Sequence, residues 1–393
     1  MNTRKYRLSD IITVLGLLVI IYGFAIAMLL LPDKEYSEEE NRYLQTVPQF
    51  SLEALTSGEF TADVASYCTD QMPLRNLFVG TKAVSETVLG KQENNSVLLG
   101  IDGHIIAKED HPNYAAADKN LAAVTAFDEA LGDIPLHLAV AGRSQDVLTS
   151  YSPALYPAKK ISDTTFVRAL ESAGDISQID LLTPLREYAD AGEYVYYRTD
   201  HHWTTLGAYY AYREIMETYG MEPYPREYFT RETMSEEFYG TTWSKAGMKW
   251  IRPDTMEFFR FAGDGTLTCE IVGGDTLEGM YDLSYLEKKD KYSAFIGGNN
   301  ARVRIYPSDR SPLAGERETL LLIKDSFGHS VAPFLAAHFD LEIIDLRYYK
   351  PLVGNPSMLE LVKEVGADHV LILYNLDSLL NSDNLVSLTL GME

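Results

Sequence analysis

The sequence predicts an α/β domain built on a mostly parallel sheet and preceded by one membrane-spanning helix. Short apolar runs typical of buried strands alternate with helical periodicity in the larger, C-terminal part of the chain, whereas the N-terminal part carries one long uncharged apolar run. Hydrophobic residues make up 46% of the 393 residues. A chain of this length and composition can bury one large core, or a core plus an accessory lobe.

The N-terminal apolar run predicts a transmembrane anchor at residues 11–31. Basic residues precede it and acidic residues follow it, so by the positive-inside tendency residues 1–10 are the cytoplasmic N-terminus and the rest of the chain is extracytoplasmic. The sequence Ala25-Ile26-Ala27 resembles a signal-peptidase site. Because the apolar run continues through Leu31, an uncleaved signal anchor is favoured over cleavage.

After the anchor, residues 32–89 mix acidic and apolar residues and predict a mostly helical juxtamembrane region. Residues 90–393 then predict the extracytoplasmic domain, opening with a hairpin at 97–107. Helices are expected near 115–131, 204–219, 330–339 and 357–366. Strands are expected near 136–141, 193–197, 319–323, 341–345 and 369–374. This alternation predicts a flavodoxin-like sheet, and the aromatic, glycine-rich texture of about 224–310 predicts a β-rich insertion.

Three residues carry the groups of a serine-nucleophile site, namely Asp200, His202 and Ser326. A serine hydroxyl needs a neutral imidazole to take its proton and a carboxylate to orient that imidazole. On an extended loop the two-residue spacing sends the side chains of Asp200 and His202 to the same side. Ser326 follows an apolar strand and precedes a helix, so its hydroxyl is expected above the sheet edge, beside free backbone N–H groups.

Each of these residues also has a purely structural interpretation. An Asp-His hydrogen bond can simply hold a loop, and a serine before a helix is often an N-cap. His201 is expected to be structural or to face the substrate, and Trp203 to be a substrate platform or part of the core. Trp243 and Trp250 are weaker candidates for stacking on a sugar in a glycan groove.

The blocks Asp200–Trp203, Lys324–Gly328 and Ile344–Tyr349 together resemble the bacterial DHHW protein family, as do the segments at 36–42 and 367–375. That family is similar to the SGNH-like proteins of alginate and other exopolysaccharide O-acetylation. The resemblance implies Ser326 as nucleophile, His202 as base and Asp200 as the orienting acid. It also implies oxyanion or substrate contacts at Phe327, Asn375 and Arg347, and a membrane-bound O-acyltransferase as partner.

Alternatives to acyl transfer are a plain esterase, or a non-catalytic glycan-binding or assembly protein. A metal site at Asp200, His201 and His202, with a distant ligand such as His329, is disfavoured because no recognised ligand spacing is present. No cofactor is expected. The net charge of −23 argues against nucleic acid as a partner. Cys68 and Cys269 are the only cysteines, too few for a metal cluster, and their spacing leaves a disulfide open.

Overall fold

The protein is described from a computed structural model that covers residues 7–37, 39, 42–108 and 111–392. Part of the basic N-terminus and three residues of the 36–42 segment, at 38, 40 and 41, therefore lie outside the described residues. The chain divides into two compact units. The first comprises residues 1–91 with 247–249, and the second comprises 92–246 with 250–393.

The first unit is mostly helical. Its elements are α1 (Leu8–Leu30), β1 (Tyr36–Ser37), β2 (Arg42–Tyr43), α2 (Leu52–Ser57), α3 (Glu59–Asp70) and α4 (Arg75–Val88). The 23 residues of α1 rise about 35 Å, and the helix is long and apolar enough to cross a membrane. It overlaps the predicted anchor at 11–31 and begins three residues earlier.

The second unit is an α/β structure. Its strands are β3 (Glu93–Asn94), β4 (Val97–Leu99), β5 (Ile105–Ala107), β6 (Leu136–Ala141), β7 (Ser177–Ile179), β8 (Thr230–Phe238), β9 (Asp254–Arg260), β10 (Leu267–Ile271), β11 (Thr276–Glu278), β12 (Arg302–Pro307), β13 (Thr319–Lys324), β14 (Asp340–Ile344) and β15 (His369–Asn375). Its helices are α5 (Tyr114–Leu131), α6 (Ser144–Val147), α7 (Ala158–Ala169), α8 (Leu182–Asp190), α9 (Thr205–Thr218), α10 (Thr241–Ala246), α11 (Gly328–Leu335), α12 (Met358–Val365) and α13 (Leu376–Asn381).

The central sheet has eight strands in the order β11-β10-β12-β14-β13-β15-β6-β7. The five strands from β14 to β7 are parallel, and β12, β10 and β11 extend the sheet in antiparallel fashion. The predicted mostly parallel α/β fold is therefore confirmed. Within β13, Leu320 and Leu322 face one core while Leu321 and Ile323 face the other, so apolar side chains cover both faces of the sheet.

Most predicted elements around the sheet are observed within a few residues of their expected bounds. The strand expected at 193–197 is wrong, because this segment forms only one isolated bridge, between Tyr196 and Trp203. Its apolar residues are buried in an irregular loop, which explains the misleading pattern. The segment 224–310 contains several strands, of which β8 and β9 form a hairpin and β10 to β12 join the main sheet.

Candidate active site

The turn that carries Ser326 lies between β13 and α11, at the carboxyl end of a central parallel strand. The buried carboxylate of Asp325 fixes this turn by accepting hydrogen bonds from Phe327 N (2.9 Å), Asn375 N (2.8 Å) and the Ser378 hydroxyl (2.7 Å). A Cβ atom on Gly328 would lie 2.6 Å from the Cβ of Lys324, so glycine is required where the chain turns back. Ser326 therefore has a fixed position above the sheet edge.

Asp200 and His202 lie in the irregular loop before α9, whose first turn is capped by the Thr204 hydroxyl. His202 Nδ1 is 2.5 Å from Asp200 Oδ1, and His202 Nε2 is 2.7 Å from Ser326 Oγ. The same carboxylate oxygen also accepts a hydrogen bond from the His202 backbone N–H at 3.0 Å. The structure thus brings these three residues together, in the geometry of a serine nucleophile with its base and an orienting acid.

The second oxygen of Asp200 is held from the insertion side. It accepts hydrogen bonds from the backbone N–H and the hydroxyl of Thr241, at 2.8 and 3.2 Å, at the start of α10. Gly240 permits this approach, because a Cβ atom there would lie only 2.1 Å from Asp200 Oδ2. Both oxygens of the carboxylate are therefore engaged, and its orientation is fixed.

Burial and neighbouring charges set the protonation states of the His-Asp pair. Burial, with the like charge of His201, lowers the pKa of His202 to about 4, against the opposing effect of Asp200. Burial by itself raises the pKa of the Asp200 carboxyl, but the two histidines overcome this effect and hold it well below its usual value. At neutral pH the site therefore holds a neutral imidazole and an ionised carboxylate, as proton transfer from serine requires.

Aromatic rings hold the imidazole of His202 in place. The Tyr292 ring stacks on it with centroids 3.9 Å apart and an interplanar angle of 10°, and the Phe327 ring lies 5.0 Å away. Ser330 is 2.9 Å from both the Tyr292 hydroxyl and Trp203 Nε1, and it joins the two aromatic side chains. Tyr292 comes from the insertion, and nothing in the spacing of the sequence pairs it with His202.

A buried carboxylate also holds the loop that carries Asp200. Asp254, at the start of β9, accepts hydrogen bonds from Thr199 N (2.9 Å), Thr199 Oγ1 (2.5 Å), Arg198 N (3.1 Å) and the hydroxyl of Tyr194. Burial raises the pKa of Asp254, while these hydrogen bonds lower it. The loop is thus fixed by a residue more than fifty positions away.

A cavity of about 390 Å³ opens beside Ser326. Five of the predicted site residues line it, namely Ser326, Phe327, Asn375, Arg347 and His201. Sequence reasoning missed Arg143, Ser144, Gln145, Lys108 and Lys245, which also line it. Since Arg143 to Gln145 directly follow β6, the carboxyl-end rule for parallel strands provides a signal that could have found them.

Trp203 does not face this cavity. The side chain is fully buried, and its indole N–H points to the Phe327 carbonyl and the Ser330 hydroxyl. This corrects the substrate-platform alternative, because no indole surface is left for a sugar. Trp243 is almost fully buried as well, whereas Trp250 is 41% exposed.

The donors available to an oxyanion differ from the expectation. The Phe327 N–H is already donated to Asp325, whereas the Ser326 N–H has no hydrogen-bond partner among the described residues. The Asn375 side-chain amide is 3.4 Å from the carbonyls of Ala141 and Gly142, and its oxygen caps α13. These contacts are long enough for the amide to turn towards a developing charge.

Arg347 lies on the cavity wall as part of a buried charge cluster. Its guanidinium donates to both oxygens of Asp345, at 2.9 and 2.6 Å, and Lys324 Nζ lies 3.2 Å from the same carboxylate. Burial alone raises the pKa of Asp345, but the two cations overcome it and the pKa is lowered. The cluster fixes the guanidinium in position at the edge of the cavity.

Asp200, His201 and His202 also present ligand atoms within 4.8 Å of one another, the spacing that a metal ion would need. In the structure these atoms have other partners. His202 Nδ1 is bound to Asp200, and His201 Nδ1 is 2.7 Å from the Thr241 hydroxyl. The arrangement is better explained by Asp200 orienting the imidazole of His202 than by a metal centre. Cys68 and Cys269 are both free thiols.

Comparison with known proteins confirms the predicted resemblance to the DHHW family. The model described as DHHW protein matches residues 178–344, a segment that contains Asp200, His202 and Ser326. No curated protein matches the chain. The solved structure of a DHHW family protein from Eubacterium siraeum is 22% identical with a TM-score of 0.59, covering 75% of this chain and 95% of that chain.

Two further solved structures are similar to this chain. PatB1 of Bacillus cereus is 17% identical with a TM-score of 0.58, covering 73% of this chain and 98% of its own. The O-acetyltransferase domain of Pseudomonas putida AlgJ is 18% identical with a TM-score of 0.46, covering 73% and 93%. At these identities the likeness to PatB1 and to the Eubacterium siraeum protein shows a shared fold.

Proposed function

We propose that this chain is a membrane-anchored, extracytoplasmic serine acyltransferase that O-acetylates a cell-surface polysaccharide. The observation that carries the proposal is the continuous hydrogen-bonded line from Ser326 Oγ through His202 to Asp200, with distances of 2.7 and 2.5 Å. Function rests on this site, because the fold alone hosts many activities. The resemblance to exopolysaccharide O-acetylation proteins supports acetyl as the group that is moved.

In the first half-reaction, Ser326 Oγ attacks the carbonyl carbon of the acyl donor while its proton moves to His202 Nε2. Asp200 stabilises the imidazolium that forms and keeps Nε2 directed at the serine. Collapse of the tetrahedral intermediate breaks the bond to the leaving group, which takes the proton from His202. The product is an acetyl ester on Ser326 with a neutral His202.

In the second half-reaction, His202 accepts the proton of a sugar hydroxyl, whose oxygen attacks the acetyl carbonyl. The bond to Ser326 Oγ then breaks, and the serine regains a proton from His202. In both steps the negative oxygen lies beside the Ser326 N–H and the start of α11, with the Asn375 amide within the same cavity. Water in place of the sugar would make the same chain an esterase.

The cellular setting in the proposal comes from α1 and from the resemblance. A membrane-spanning α1 with a cytoplasmic N-terminus leaves the site outside the cell, where a polysaccharide acceptor is found. Acetyl groups would then be supplied across the membrane by a membrane-bound O-acyltransferase partner. A structure of PatB1 carries a sulfonyl adduct, which suggests a sulfonyl fluoride as a probe of this chain.

The proposal is tested by hydrolysis of 4-nitrophenyl acetate and by labelling with a sulfonyl fluoride. We expect the wild-type chain to release nitrophenol and to take one sulfonyl group on Ser326, and Ser326→Ala and His202→Ala to do neither at a comparable rate. Ser284→Ala is the matched control, because it removes an exposed serine hydroxyl that does not line the cavity. Undiminished turnover by Ser326→Ala would contradict the proposal. Acetyl transfer to added oligosaccharides that outpaces hydrolysis identifies a transferase.

A further inference from the structure

The outward side of α4 is apolar and uncharged. Helical spacing places six residues of α4 together on this side, and Leu74 and Leu89 extend it just beyond the two ends of the helix. These eight residues are referred to below as the apolar face of α4: Leu74, Leu77, Phe78, Thr81, Val84, Ser85, Val88 and Leu89. The six apolar side chains are all exposed, with Val88 and Leu89 exposed at 81% and 85%. Ala83, on the opposite side of the helix, is fully buried.

Charged residues of α4 lie away from this face. Arg75, Lys82 and Glu86 are placed by the helical period along the edge and the opposite side. Soluble surfaces rarely expose so many apolar side chains in one contiguous patch, and such patches mark an interaction surface. A helix with one apolar face and its charged residues off that face is typical of a membrane interface.

The apolar face of α4 is continuous with the helix that is long enough to span a membrane. The ring of Phe78 lies 5.6 Å from the ring of Phe24, which is in α1, six residues before its last residue. An apolar cavity of about 610 Å³ adjoins the same region. Leu31 and Pro32, at the end of α1, line it together with Leu74 and Leu77 of the face.

We propose that the apolar face of α4 lies in the outer leaflet of the membrane, in contact with phospholipid acyl chains. The contact between Phe78 and Phe24 sets the depth, since a residue that touches the span about 9 Å below its outer end is within the bilayer. Lipid is favoured over a protein partner because the face is continuous with a membrane-spanning segment. The inference rests on the proposed anchoring of α1, and it adds a second membrane contact.

The test places an environment-sensitive fluorophore on the face in the full-length chain. In a Cys68→Ser background, single labels are introduced by Val84→Cys on the face and by Lys82→Cys, which lies two residues away and points to the other side of the same helix. Cys269 is fully buried and does not compete for label. The chain is placed in phosphatidylcholine nanodiscs with and without brominated acyl chains.

We expect blue-shifted emission at position 84 that brominated lipid quenches, with little change of emission at position 82. Emission at position 84 that is neither shifted nor quenched overturns the inference while leaving the anchor intact. A blue shift without quenching also overturns it, because a protein surface then covers the face. A chain that does not enter nanodiscs overturns the anchor, and this inference with it.

Discussion

Replacing Gly240 by alanine is the sharpest single perturbation that the site offers. The added Cβ would lie 2.1 Å from Asp200 Oδ2 and 2.2 Å from Asp200 Cβ, whereas an ordinary contact begins at 3.4 Å. One of the two groups must therefore move by about 1.3 Å. Asp200 is buried and held by His202 and Thr241, so the movement breaks contacts that orient the imidazole.

The size of the effect follows from what Asp200 does. Misplacement of a catalytic group by about 1 Å costs on the order of 10²-fold in rate, and complete loss of the orienting acid about 10⁴-fold. We therefore expect kcat/KM of Gly240→Ala on 4-nitrophenyl acetate to fall by about 10² to 10⁴. The accompanying loss of stability should stay near 1–3 kcal/mol, the usual cost of overpacking.

The assay pairs ester hydrolysis with urea unfolding of the same preparation, so that a lost fold is not mistaken for a lost site. Gly265→Ala is the control, because a Cβ atom there meets nothing within 4 Å, and both its rate and its stability should match wild type. A Gly240→Ala chain that is folded and fully active would refute the role of Asp200. Two equally impaired alanine variants would refute the steric argument.

Four further predictions concern the histidines and their surroundings. Because the pKa of His202 is about 4, kcat/KM should stay constant as pH falls from neutral and should drop only near pH 4. His201→Asn should move this drop to higher pH, because it removes a like charge beside His202. A drop near pH 6.5 in the wild-type chain contradicts this prediction. The same lowered pKa implies that the free energy of unfolding decreases as pH is lowered from 6.5 to 4, because the unfolded chain takes up a proton there that the folded chain does not. Urea unfolding across this pH range measures the decrease. Tyr292→Leu should lower kcat about tenfold by removing the stacked ring, while Tyr292→Phe retains the rate; equal rates in all three chains argue against positioning by the ring. Dialysis against a chelator should leave ester hydrolysis unchanged, and loss of activity restored by added metal would favour a metal centre at Asp200, His201 and His202.

The hydrophobic pattern of the sequence was sufficient to predict the strand and the helix that position the candidate site. The apolar run at 319–323 and the helical period after Thr204 predicted β13 and α9, and these two elements position Ser326 and His202. The spacing of Asp200 and His202 indicated a shared side of a loop, and the structure places them 2.5 Å apart. A serine nucleophile requires a base and an orienting acid, and this requirement predicted that Asp200 and His202 act with Ser326, more than a hundred positions later.

The parts that the sequence did not reveal depend on distant contacts. Gly240, Tyr292 and Asp254 all come from the segment predicted only as a β-rich insertion, and each supports the site through packing that no periodicity encodes. The segment at 193–197 looked like a strand because it is buried, but the Asp254 carboxylate fixes the chain just beyond it in an irregular loop. Burial alone does not distinguish a strand from such a loop.

The central claim is that Ser326 carries the acyl group, and intact-mass analysis with peptide mapping tests it most directly. The wild-type chain is mixed with 4-nitrophenyl acetate, quenched in acid and compared with Ser326→Ala and His202→Ala. The account predicts one added acetyl group on the peptide that contains Ser326, none in Ser326→Ala, and slow formation in His202→Ala. An acetyl group on another residue, or the same adduct in Ser326→Ala, would contradict the account.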